Sequence, residues 1–421
     1  MQLSKPQLII IGVAVIIIAG FIGLFFIGGG GGQEKIKLTI LGIDDENAVK
    51  GLTEEYRKLR PNAEINYQKF NSANYEKDLV NALAADYKAD IIFFHGAWLN
   101  KHIDKIIPAP ENQFSLTQLR QSFPAVIEQN FVSDGKVYAL PLYLDTLAFL
   151  YNKDFMDAKS VAIMPAFWED FQKLVPQLRV INASNQLTKA AAAIGGSEKS
   201  VDNGSDLLNL LMLQYDSLTA NKQSKQFDFG RQAVDAFRFY LQFANPLSPY
   251  FTWHDAFGNS ITKFANREVA VIFNYASVIP EIKKKNPYLN LGVAPMLQLA
   301  KADQPINYPD YWGLAVVKQS QSPSWAWDFI AFATTNKEIS QAYLKNVQRP
   351  PALRVLINQN INDPVWGVFA EQALTARSWP QPDRFAIKQI FSNMIELVLT
   401  GKLTLQQALD QGRNEINGLY R

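Results

Sequence analysis

The chain has 421 residues, 48% hydrophobic and 12% aromatic, enough to bury the cores of two domains. Its formal net charge is only +2, and the longest basic run, Lys283-Lys284-Lys285, ends a helix-like segment where cations suit the dipole, so no basic stripe of the nucleic-acid-binding kind is present. Cysteine is absent, which excludes disulfides, thiolate metal sites, a cysteine nucleophile and a lipid-bearing N-terminal cysteine.

Every residue from Leu8 to Ile27 is apolar or glycine. At about 1.5 Å per residue this stretch is long enough to cross a hydrocarbon core of about 30 Å. It runs into bulky Phe25, Phe26 and Ile27 without a small-residue cleavage site, so a retained single span is expected, with the body on the extracytoplasmic side. Gly28 to Gly32 then form a flexible tether.

"IKLTILGI" reads as an apolar strand, and Asp44, Asp45 and Asn47 are candidate caps for a helix running to about Arg60 before Pro61. "AEINYQKF" follows as a strand, "NYEKDLVNALAADYKA" as a helix with Leu79, Leu83 and Tyr87 on one face, and "ADIIFF" as a fully buried strand. This βαβαβ order predicts a parallel sheet with helices on its faces. From Pro165 to about Ala244 the segments are helix-like with polar loops between, which points to a second, helix-rich lobe. Strands return at "VAVIFN", "LNLGVAPM" and "YWGLAVVK". Helices "SWAWDFIAFAT", "NKEISQAYLK" and "DPVWGVFAEQAL" follow, with a long C-terminal pair from about Arg384 to Tyr420.

The three histidines, His95, His102 and His254, lack metal-ligand spacing, and no nucleotide-binding glycine loop or nucleophile elbow is present. No metal or cofactor is expected, and the chemistry narrows to binding without turnover. What stands out is aromatic residues beside isolated polar groups at strand ends, where open α/β sheets place ligands. Phe94 and Trp98 follow "ADIIFF". Tyr143, Asp145 and Thr146 interrupt "YALPLYLDTLAFL", Asn274 and Tyr275 follow "VAVIFN", and Trp312 opens "YWGLAVVK". Asp45 follows the first strand, and Trp253 and Trp379 sit in loops that can join the same wall. A flat aromatic face suits the C–H face of a sugar ring while carboxylates and amides bond its hydroxyls. A carboxylate within an apolar strand must be bonded, paired or facing a cleft, and Asp145 is assigned to a cleft. None of these positions is basic, which argues against an essential phosphate.

Taken in order, "DGKVYALPLYLDTLAFLYNKDFM", "PAFWEDF", "ITKFANREVAVIFNYASVIPEIKKKNPYLNLGVAPM" and "SPSWAWDFIAFATTNKEISQAYLKNVQRPPALRVLI" carry a family likeness over about residues 35 to 421. The chain resembles the family 1 extracellular solute-binding proteins, the maltose-binding-like receptors of ABC importers. The resemblance implies a two-lobed α/β fold of the type II periplasmic-binding-protein kind, with ligand bound between lobes that close on it. It implies lobes at 33–146 with about 313–362, and at 147–312 with about 363–421, preceded by the anchor and tether at 1–32. It places Asp145 beside the first crossing as a sugar-binding carboxylate, Phe94 to Trp98 as an aromatic lid, Asn274 and Tyr275 on an interlobe loop, and Trp312 at a later crossing. Gly96 and Ala97 stand where some sugar receptors carry charge, and Ser277 where close maltose binders carry an aromatic residue.

The expectation is thus a monomeric receptor tethered through Leu8 to Ile27, partnered by an ABC permease. It binds a small solute, a carbohydrate before a peptide or polyamine, without cofactor, metal or nucleic acid. A sensor or adaptor signalling through the same closure, and a glycosidase with paired carboxyls, are the competing classes.

Overall fold

The computed structural model describes residues 35–184, 186–221 and 224–420; the expected span at Leu8 to Ile27 lies outside them. Among the described residues no helix is long and apolar enough to cross a membrane. The fold is α/β and two-lobed, each lobe built on its own sheet.

The first sheet runs in the order Ala63–Lys69, Ile36–Gly42, Ile91–His95, Trp312–Val317, Ile106–Ile107. Ile36–Gly42 and Ile91–His95 are parallel, as the βαβ order predicts, while the late strand Trp312–Val317 enters antiparallel beside Ile91–His95 and also pairs with Leu140–Pro141. Ile91–His95 is buried at all five positions, the mark of a strand covered on both faces. Helix Glu46–Leu59 buries Ala48, Val49, Leu52, Thr53 and Tyr56, one stripe of helical period, against the later helices Pro323–Thr335 and Lys337–Val347. Asp45 holds the N-cap position of that helix, but its side chain makes no capping bond.

The second sheet runs Val180–Ile181, Leu187–Ala193, Val269–Asn274, Ala148–Asn152, Leu291–Ala294. The three segments read as helices between residues 165 and 244 fold as Trp168–Leu178, Gly204–Gln214 and Ala233–Leu241, while the stretch between the first two, read as a loop, holds the strand Leu187–Ala193, which pairs parallel with Val269–Asn274. Its alanines carry little β propensity, and burial between helices decides the outcome. Helix Gly204–Gln214 is buried on nearly every side and packs against Ala233–Leu241 and Arg384–Leu399. The C-terminal pair Arg384–Leu399 and Leu405–Gly418 is set by a Thr404/Gln407 capping box and by Gly412, where a Cβ would lie 2.4 Å from the Met394 sulfur.

Two short strands, Asp145–Thr146 and Pro309–Asp310, pair antiparallel and carry the chain between the sheets in opposite directions. Helix Trp366–Ala373 packs on this ribbon, where Gln372 Nε2 donates to Thr146 Oγ1 at 2.8 Å and to the Leu147 carbonyl at 3.0 Å.

Candidate functional site

Strand Ile91–His95 ends in the turn Gly96-Ala97, and Trp98 starts the short helix Leu99–His102. The turn needs glycine, because a Cβ on Gly96 would lie 2.7 Å from the Tyr311 ring. Trp312 pairs with His95 across the sheet, so the two indoles meet with centroids 5.0 Å apart at 79°. Tyr75 stacks on Trp98 at 5.8 Å, Phe94 meets it edge-on at 5.8 Å, and the His95 ring lies 5.0 Å from Trp312. Trp98 is 6% exposed and Phe94 is fully buried behind it.

The polar half converges on the ribbon. His95 Nε2 lies 2.8 Å from Asp310 Oδ1, and Arg384 Nη2 donates to the same oxygen at 2.6 Å. Arg384 also lies 3.5 Å from Asp206, which accepts the Tyr275 hydroxyl at 2.9 Å. Burial alone would raise the Asp310 carboxyl, yet Arg384 and the His95 bond hold it well below the usual carboxylate range. Burial and Arg384 push the His95 imidazole down. The geometry agrees with a neutral ring: His95 Nδ1 accepts the Ala97 N–H at 3.1 Å, which leaves the proton on Nε2 to be donated to Asp310. Beside this group Lys388 donates to Asn203 at 2.8 Å and pairs with Glu198 at 3.3 Å, while Asn203 and Asn274 bond each other and Asp202.

A seam of bonds joins the two walls. Lys101 Nζ lies 2.7 Å from Glu76 and 2.5 Å from Asp383, Asn100 donates to the Gln381 carbonyl at 3.0 Å, and Gln129 donates to the Ser378 carbonyl at 2.5 Å. His102 adds a bond to Glu76 at 2.8 Å. Burial would raise Glu76, but His102 and Lys101 hold it at about 2.

The expected residues separate into groups. Trp98 and Trp312 meet, Tyr275 and Asn274 belong to the opposite polar wall, and Trp379 lines a recess at the seam with its indole N–H bonded to Asn209 at 2.9 Å. Asp145, 2% exposed, is placed differently from expectation: its carboxylate accepts the backbone N–H groups of Thr146, Ala276 and Ser277, each at 2.9 Å. Burial pushes it up to about 7, against those N–H bonds and Arg349. Its oxygens fasten the ribbon to the loop after Val269–Asn274. Thr146 is buried under Gln372, and Tyr143 lies beneath the Arg349 guanidinium at 5.7 Å. Asp45, with 82% of its side chain exposed, pairs with Lys69, and Trp253 is buried with its N–H on Ser200.

Sequence reasoning missed His95, Asp206, Tyr308, Asp310, Gln381, Arg384 and Lys388. The expectation of a wall without basic groups is corrected by Arg384, Lys388 and Lys101. The available signal was "RSWPQPDR", a polar run on both sides of prolines just ahead of a long helix.

The family model for bacterial extracellular solute-binding proteins matches residues 43–339. Among curated proteins, the maltotriose-binding protein of Pyrococcus abyssi is 20% identical over 338 residues, 79% of this chain and 70% of that one. Among solved structures, the sugar-binding protein MalE of Xanthomonas citri superposes with a TM-score of 0.75 at 17% identity, covering 91% of this chain and 97% of that one. A cyclo/maltodextrin-binding protein complexed with maltotetraose gives 0.74 at 20% identity, covering 93% and 98%. At these identities the structural likeness is one of fold.

Proposed function

Since the chain belongs to the bacterial extracellular solute-binding proteins, we propose that it is the binding receptor of an ABC importer, holding a carbohydrate between its two lobes. The observation that carries the proposal is the Trp98–Trp312 pair lying against His95, whose other neighbour is the Asp310–Arg384 pair of the opposite wall. An apolar aromatic surface next to fixed donors and acceptors suits a sugar, whose ring faces are apolar and whose rim is hydroxyls. The named relatives, which bind maltotriose and maltotetraose, favour the same class.

The mechanism is population shift: ligand favours the arrangement in which Lys101 reaches Asp383 and Asn100 reaches Gln381, and the closed receptor is what the permease recognises. The lobes divide at the ribbon, 33–146 with about 313–362 against 147–312 with about 363–421. A span at Leu8 to Ile27 tethers a monomeric body outside the membrane. The test is thermal unfolding of the chain with a panel of mono- and oligosaccharides, peptides and polyamines, because a ligand that binds only the folded state raises the midpoint. A shift from a saccharide, lost in Trp98→Ala, with the saccharide recovered intact, supports the receptor; hydrolysis of the saccharide overturns it.

A further inference from the structure

At the seam, beside the carboxylate–guanidinium network, lies a small recess of about 10 Å³, room for about one water-sized group such as a hydroxyl. One wall supplies Asn100, Gln129 and Asn130, the other Trp379 and Gln381. None of the described residues that line it is charged. The charges nearby are already paired, Lys101 with Glu76 and Asp383, Arg384 with Asp310 and Asp206. Gln381 is 3% exposed; its amide nitrogen donates to the Tyr308 hydroxyl at 2.7 Å, and its carbonyl oxygen has no partner. A buried acceptor left without a donor is disfavoured, so the site is completed by whatever brings one.

We propose that this recess is a subsite that takes a hydroxyl of an uncharged sugar ring against the Gln381 carboxamide and excludes rings charged at that position. The inference rests on the saccharide reading of the cleft and adds the charge class. A hydroxyl both donates and accepts, so it satisfies the amide whichever end faces it. An ammonium or carboxylate entering the same space would shed its water among carboxamides and an indole, with every neighbouring counter-charge already engaged.

Isothermal titration of the full-length chain with maltotriose, mannotriose, a glucosamine trimer and a galacturonate trimer tests this. At least one neutral trimer is expected to bind about tenfold tighter than both charged ones, and Gln381→Leu to weaken that binding by about tenfold. Gln381→Glu reverses the Tyr308 bond, the hydroxyl now donating to the carboxylate, and decides the matter if the leucine variant fails to fold; it is expected to bind the glucosamine trimer more tightly relative to the neutral trimer than the wild type does. A charged trimer binding the wild type as tightly as the neutral ones, or a Gln381→Leu protein binding unchanged, overturns the inference and leaves the saccharide receptor standing. Binding of none of the four sugars brings down the saccharide reading and the inference together.

Discussion

Arg384 donates to Asp310 at 2.6 Å and so ties the first turn of a C-terminal helix to the ribbon that returns the chain to the first sheet. The bond joins elements 74 residues apart in sequence. Breaking one partner of a buried pair leaves the other charge uncompensated, a loss of about 3 to 5 kcal/mol in well-buried cases. Arg384 and Asp310 side chains are each 26% exposed, so Arg384→Met is expected nearer the lower end. Urea unfolding of Arg384→Met, Asp310→Asn and the double variant checks this: the double variant is expected to lose less than the sum of the two.

Asp145 gives a prediction that separates fastening from ligand contact. Asp145→Ala strands the N–H groups of Ala276 and Ser277 in the interior, at about 1 to 3 kcal/mol for each unsatisfied donor. The expected result is a large fall in the urea midpoint while ligand affinity, measured on the protein that remains folded, changes little. A stable variant that has lost its ligand would return Asp145 to the direct contact read from the sequence.

How far the sequence carried is clear at Asp145 and Arg384. The apolar run around Asp145 announced an exceptional carboxylate, but strand periodicity says nothing about which backbone N–H groups a distant loop delivers. Sheet strands and helices with continuous apolar patterns, such as Ile91–His95 and Glu46–Leu59, were legible because burial itself writes the pattern. Arg384, Asp206 and Gln381 were not, since each sits where a polar residue is also normal on a surface, and only the tertiary fold encloses it. Leu187–Ala193, lying in a stretch read as a loop, went unrecognised because a run of alanines carries little strand signal and its neighbours decide its state.

Gly313 lies on the strand beside Leu140–Pro141, and a Cβ there would approach the Leu140 carbonyl oxygen to 2.3 Å. The obstructing atom is backbone held in a sheet, so the strain has nowhere to relax. Gly313→Ala is expected to lower stability by about 3 kcal/mol, the upper part of the overpacking range. Gly401→Ala is a contrasting control, with no atom within 4 Å and only a φ of +69° to oppose the new methyl. Thermal melts of the two variants measure the difference.

Glu76 sets an acid limit on stability. Its folded value of about 2 lies below its ordinary 4.5, so its stabilising contribution is complete above about 4.5 and fades as pH falls toward 2. Glu76→Gln is expected to be less stable than wild type at pH 7 and to show a smaller further loss between pH 4.5 and 2.5, the gap between the two melting curves narrowing with acid. An unchanged gap across that window would separate the Lys101 and His102 bonds from any role in acid stability.

Lys101 links Glu76 on its own side of the seam to Asp383 on the other, so on the proposed closure mechanism its removal acts on that equilibrium more than on either lobe's core. Lys101→Met keeps the aliphatic stem and deletes the two ion pairs. If the closed arrangement loses population, apparent ligand affinity falls by the same factor, because only the competent fraction binds. The expected outcome is a larger scattering radius for the unliganded variant, a weaker dissociation constant, and the same radius as wild type once saturated with ligand. Equal radii without ligand, together with equal affinity, would count against the proposed closure at Lys101 and leave the bonds of Asn100 and Gln129 to the Gln381 and Ser378 carbonyls as static contacts of the seam.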